Sequence, residues 1–118
     1  MSAHNRQVGT WGEGVAADYL QERGYRVVAN NAHTPYGEID LVAVQDDLTV
    51  FVEVKTRTSA ALGPPEIAVT PRKQAHMLAA AEHYAQEHAI SHWQIDVIAI
   101  LKRGGRKPEI LHFEKALD

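Results

Sequence analysis

Gly37-Glu38-Ile39-Asp40-Leu41-Val42-Ala43-Val44 and Thr49-Val50-Phe51-Val52-Glu53-Val54-Lys55-Thr56-Arg57, joined through Asp46-Asp47, decide how this chain is read. Both runs are strongly apolar, yet each carries charge. Asp46-Asp47 can form a two-residue hairpin turn, although Asp-Gly would be a stronger signal. Pairing outward from it sets Val44 opposite Thr49, Val42 opposite Phe51, and Asp40 opposite Glu53. Side chains alternate faces along a strand, so Asp40 and Glu53 share a face, with Cβ atoms roughly 5 Å apart. Lys55 lies two residues beyond Glu53 on the same face. A slip of one residue would send one acid to the other face, so the juxtaposition depends on the turn.

A desolvated charge costs several kcal/mol unless it is paired or bound to a metal. Like charges directly opposite each other are destabilising, and a divalent cation with oxygen ligands satisfies two carboxylates at once. The competing reading makes Glu53 and Lys55 an ordinary ion pair on an exposed edge, with Asp40 in solvent. Ile39, Leu41, Val42, Val44, Phe51, Val52 and Val54 leave almost no polar face, which suits strands covered on both sides and favours the metal reading. A glycosidase-like carboxylate pair needs a wider gap for water; direct opposition beside Lys55 suits a metal better.

Working outward, Trp11, Val15, Ala16, Tyr19 and Leu20 recur at helical spacing, predicting a helix over 9–23 that stops at Gly24. Tyr25 to Ala29 reads as a short strand ending in Asn30-Asn31, followed by a loop over Thr34-Pro35-Tyr36-Gly37. Residues 58–69, with Gly63-Pro64-Pro65, read as a mobile connection. Thr70 caps a second helix with Pro71 in its first turn, running to about His88. Trp93 to Leu101 and Glu109 to Phe113 are the last strands. The order α-β-β-β-α-β-β implies an α/β fold, a central mixed sheet flanked by helices.

At 118 residues the chain is expected to be one domain, 1–118, with 1–7 a flexible tail. No apolar run has the length of a membrane span, and the first residues lack an apolar signal core. With no cysteine there is no disulfide or thiolate zinc site, which fits a cytoplasmic protein. A net charge of −3 counts against a strongly basic nucleic-acid binder. It leaves room for a local positive surface from Arg57, Arg72 and Lys73, whereas the run from Lys102 to Lys107 reads as a solvated turn. Glu13 borders the apolar face of the first helix, as either a site residue or a first-turn acid favoured by the helix dipole. Asp96, inside Ile95-Val97-Ile98-Ala99-Ile100, reads as a structural hydrogen-bonding residue before a catalyst. His88 and His92 have ligand-like spacing but straddle a helix end, so exposed histidines are the better reading.

The hairpin resembles the PD-(D/E)xK nucleases of the restriction-endonuclease-like superfamily, whose core order is α-β-β-β-α-β. Gly12-Glu13, Ala16, Ala17, Tyr19-Leu20, Gly24-Tyr25, Asn31, Gly37-Glu38-Ile39-Asp40, Phe51 to Arg57, Lys73 and Asp96-Val97 are similar to the bacterial YraN-type family. That family is in turn similar to archaeal Holliday junction resolvases. The resemblance implies that Asp40 and Glu53, with the Val54 carbonyl, hold Mg2+ or Mn2+. It implies that Lys55 orients the attacking water and that Glu13 completes the site. It also implies hydrolysis of phosphodiester bonds in DNA, branched DNA included, by a homodimer. The alternative is a non-catalytic module that keeps the fold to bind DNA or a repair protein. Two positions depart from the pattern. Asn31-Ala32-His33 stands where an asparagine is commonly followed two residues later by arginine, and Gln94 stands near a usual arginine.

Overall fold

The hairpin forms at the expected turn. Asp46 takes a left-handed φ of 55°, and the register runs Gln45 with Leu48, Val44 with Thr49 and Val42 with Phe51. The computed structural model describes residues 3–57 and 70–117, with side chains from residue 10 onward. Its elements are α1 (Ala3–Glu22), β1 (Arg26–Thr34), β2 (Gly37–Gln45), β3 (Leu48–Arg57), α2 (Pro71–Glu87), β4 (Trp93–Leu101) and β5 (Glu109–Leu117). The five strands lie in chain order across one sheet. Neighbours are antiparallel except β3 and β4, which are parallel.

A parallel pair needs a crossover, and α2 lies within it, between β3 and β4. It covers one face with small residues, Ala80, Ala81 and Ala85, over Ile39, Val42, Phe51 and Ile95. On the opposite face Ala16 and Leu20 of α1 meet Leu41, Ala43, Val50, Val52, Ile98 and Ile100. The central strands are therefore covered on both sides, as their lack of a polar face implied. Thr70 caps α2, its hydroxyl accepting the Lys73 N–H at 3.2 Å, with Pro71 at the first helical position. At the end of α1, Gly24 has φ 89° and Tyr25 N–H reaches back to the Leu20 carbonyl at 3.0 Å. That is the left-handed stop expected of a glycine.

Three boundaries differ from expectation. The first helix begins at Ala3 rather than Gly9, so residues 3–7 of the expected tail are helical. β1 does not stop at Ala29 but continues through Asn30-Asn31 to Thr34. It is an edge strand with one solvated face, so polar residues fit within it. β5 continues past Phe113 to Leu117 across an irregularity, where Lys115 takes φ 50°. The connection at 58–69 lies outside the described residues. Among the described residues no helix is long and apolar enough to cross a membrane.

Candidate metal centre

The site begins where the hairpin ladder stops. Leu41 and Val52 are the last Cα partners, so Asp40 and Glu53 stand just beyond the paired backbone. The Val54 N–H, with no β2 carbonyl to meet, donates to Asp40 Oδ2 at 2.8 Å. A strand residue's N–H and C=O point toward the same neighbouring strand, so the Val54 carbonyl faces this opening too. The β1–β2 pairing is also interrupted here, between Asn30–Leu41 and Ala32–Ile39. Asn31, in that gap, has φ 48° and donates from Nδ2 to Glu13 Oε1 at 3.3 Å. α1 comes this close because Gly12 is bare: a Cβ there would run into the Thr56 side chain.

Charge is concentrated at this corner. Glu53 Oε1 takes Lys73 Nζ at 3.0 Å and lies 3.7 Å from Lys55 Nζ. Burial pushes the Asp40 carboxyl up from 3.8 to about 7, and the Glu53 and Glu13 charges push the same way, against the Val54 N–H bond. Glu13 is raised as well, by burial against the Asn31 hydrogen bond, with smaller contributions from Glu38 and Glu53. Burial and the nearby Lys73 lower Lys55, opposed by Glu53 and Asp40. For Lys73, burial acts downward but the bond to Glu53 helps to outweigh it, and the net shift is upward. A carboxyl held near neutrality by burial and like charge is a group whose ionised form a cation would relieve.

A cavity of about 440 Å³ opens over this face between the hairpin and the start of α2, lined among others by Tyr36, Asp40, Glu53, Arg72, Lys73 and His76. The fold thus brings together Asp40, Glu53, Lys55 and Val54, sets Glu13 at the border, and adds Arg72 and Lys73 from α2. Arg57 is not part of the cavity wall; it is exposed at the end of β3, where its carbonyl accepts the Lys102 N–H at 2.8 Å.

Asp96 belongs elsewhere. Ile95 lines the cavity, so strand alternation turns Asp96 to the α1 face. It is fully buried and accepts from Gln94 Nε2 at 2.9 Å and the Lys115 N–H at 3.0 Å, and pairs with His112 Nε2 at 2.7 Å. His112 Nδ1 lies 3.1 Å from the Tyr19 hydroxyl. Asp96, His112 and Glu114 have potential ligand atoms within 4.8 Å of one another, a closeness that Asp40, Glu53 and Glu13 do not share. Both Asp96 oxygens are committed to hydrogen bonds that tie β5 and α1 to β4, which is the structural role its apolar surroundings suggested. His112 was not singled out from sequence: one histidine in an edge strand carries no signal until its partner is known. His88 donates from Nδ1 to the Tyr84 carbonyl at 2.9 Å and stacks on the Tyr84 ring, while His92 lies beside Asp47.

The family model described as uncharacterised protein family UPF0102 matches residues 12–100, a span that holds Glu13, Asp40, Glu53, Lys55, Lys73 and Asp96. The chain belongs to that family. This bears out the YraN-type resemblance carried by residues from Gly12 to Val97. It is 46% identical to the UPF0102 protein of Syntrophomonas wolfei, over 95% of this chain and 98% of the relative. It is 40% identical to that of Syntrophotalea carbinolica, over 100% and 97%. It is 41% identical to that of Rhodococcus opacus, over 97% and 98%. Among solved structures it is similar to Hjc of Archaeoglobus fulgidus, a Holliday junction resolvase. The identity there is 16% and the TM-score 0.49, over 89% of this chain and 85% of that one.

Proposed function

We propose that this chain is a metal-dependent phosphodiesterase acting on DNA, branched DNA included, with Asp40 and Glu53 as the metal ligands. The observation that carries the reading is the pair of carboxylates beyond the end of the ladder, one of them pushed up to about 7 by burial and by its neighbour. The donor set fits Mg2+ or Mn2+: hard oxygen donors, few in number, leaving room for waters and substrate oxygens. The Val54 carbonyl would be the third donor from the protein, and Glu13 would act through water. A bound ion supplies an acidified water and neutralises charge on the phosphate.

The chain's own groups do the rest. The Val54 N–H fixes the Asp40 carboxylate. Lys55, half-withdrawn from solvent on the same face, donates to the attacking water and to a phosphate oxygen. Arg72 and Lys73 place positive charge on the cavity wall and hold the phosphate backbone without reading sequence.

A specific observation favours the second reading, a non-catalytic binding module. Gln94 is engaged by Asp96, and His33 is exposed beside Glu38 at 3.5 Å. Neither supplies the phosphate-facing charge that the family pattern has near those places. A cleavage assay on four-way and single-stranded DNA with Mn2+ separates the two. The nuclease reading expects cutting that Asp40→Ala or Glu53→Ala abolishes. Cutting that survives in the double variant removes the site assignment, and a wild type that neither binds Mn2+ nor cuts leaves the module.

A further inference from the structure

Two lysines reach one oxygen. Lys55 and Lys73 both approach Glu53 Oε1, at 3.7 and 3.0 Å. Lys55 belongs to the same strand as Glu53. Lys73 comes from the first turn of α2, and its side chain is the more exposed, 45% against 29%. Its backbone is anchored, because its N–H is bound by the Thr70 cap, so any rearrangement falls on the flexible four-carbon stem.

We infer that Lys73 is a metal-displaced switch: its ammonium occupies Glu53 until a divalent cation takes that oxygen, and it is then released to a phosphate of the substrate. This rests on the metal reading of Asp40 and Glu53. An ammonium in hydrogen-bond contact with the oxygen that ligates a dication is repelled by it, so the two cations compete for Glu53 Oε1. The released side chain stays at the cavity wall it shares with Arg72 and His76, where a phosphate bound beside the metal would meet it. Lys73 is therefore a positioning residue that couples two ligands. It opposes metal binding in the free protein and makes metal and DNA favour each other, a coupling that must be reciprocal. A plain surface lysine would instead help DNA by the same factor whether or not metal is present.

The test uses the full chain and Lys73→Met, with thermal melts to verify folding. In calorimetric titration with Mn2+, K73M is expected to bind about tenfold more tightly than wild type, and to make no difference in a Glu53→Gln background. In fluorescence anisotropy with a labelled single strand, Ca2+ replaces Mn2+ and the strand is checked for integrity on a gel. Adding metal is expected to raise wild-type affinity about tenfold and K73M affinity at least threefold less. Lys73→Arg restores most of that gain. Wild-type Mn2+ binding with K73M no tighter overturns the switch and leaves the metal reading standing. Loss of the same factor of DNA affinity with and without metal also overturns it. No Mn2+ uptake by either protein overturns both.

Discussion

Asp40→Asn should make the protein more stable, by an amount that grows as pH rises from 3.8 to about 7 and is complete above it. Asparagine keeps the size of Asp40 and an oxygen to accept the Val54 N–H, now 2.8 Å from Oδ2, but carries no charge. In the folded chain the carboxyl of Asp40 is pushed from 3.8 to about 7. Between those values the folded state holds a proton that the unfolded state has released. Stability therefore falls as pH rises through that window, and the loss is complete above the folded value. At about 1.4 kcal/mol per unit of pKa, the whole shift corresponds to about 4 kcal/mol. The site is partly open to solvent and can relax around the charge, so about half of this, ~2 kcal/mol, is the expected gain for Asp40→Asn at pH 8 in chelator. For a domain of this size that is about 8 °C in Tm. At pH 4 the two proteins should melt within about 1 °C of each other. Circular-dichroism melts at pH 4, 6 and 8 in EDTA measure it. A variant that melts at or below the wild type at pH 8 would falsify the claim that buried like charge dominates this corner. Mn2+ in excess should raise the wild-type Tm and leave that of the variant unmoved, by mass action on the folded state.

Glu53→Gln and Lys55→Met should each lower Mn2+-dependent cleavage by about 100-fold or more, while Lys55→Met still takes up Mn2+ in calorimetry; loss of uptake there would place Lys55 in metal binding instead. His112→Ala strips a partner from the fully buried Asp96. It should cost about 3 kcal/mol in urea unfolding, with cleavage per folded molecule unchanged because the group lies on the α1 face. Gly12→Ala drives a methyl into Thr56 and should cost about 2 kcal/mol by the same measurement, with part regained in Gly12→Ala/Thr56→Ala; no loss would mean that α1 is free to shift.

The hairpin was legible because its turn and its two-residue period constrain each other. Once Asp46-Asp47 is the turn, Asp40, Glu53 and Lys55 must share a face. What pairing rules could not show is that the ladder ends at Leu41 and Val52, leaving the Asp40 side chain, rather than a β2 carbonyl, to receive the Val54 N–H. β1 runs further than its pattern suggests because Asn30-Asn31 look like a loop, yet polar residues are tolerated in an edge strand. The rest depended on contacts between elements far apart in sequence. Lys73 could be placed in the first turn of a helix from its Thr70-Pro71 cap, but nothing local says which strand that turn faces. Its place in a local positive surface says nothing of its bond to Glu53. The link from Asp96 to His112 and Tyr19 likewise joins two strands and a helix whose packing the sequence pattern does not specify.

The most direct measurement is anomalous diffraction from crystals soaked in Mn2+. If Asp40 and Glu53 are the ligands, an anomalous peak lies between their carboxylates and within coordination distance of the Val54 carbonyl, with Lys73 moved off Glu53. A peak only at Asp96, His112 and Glu114, or none between Asp40 and Glu53 at saturating Mn2+, would contradict that assignment.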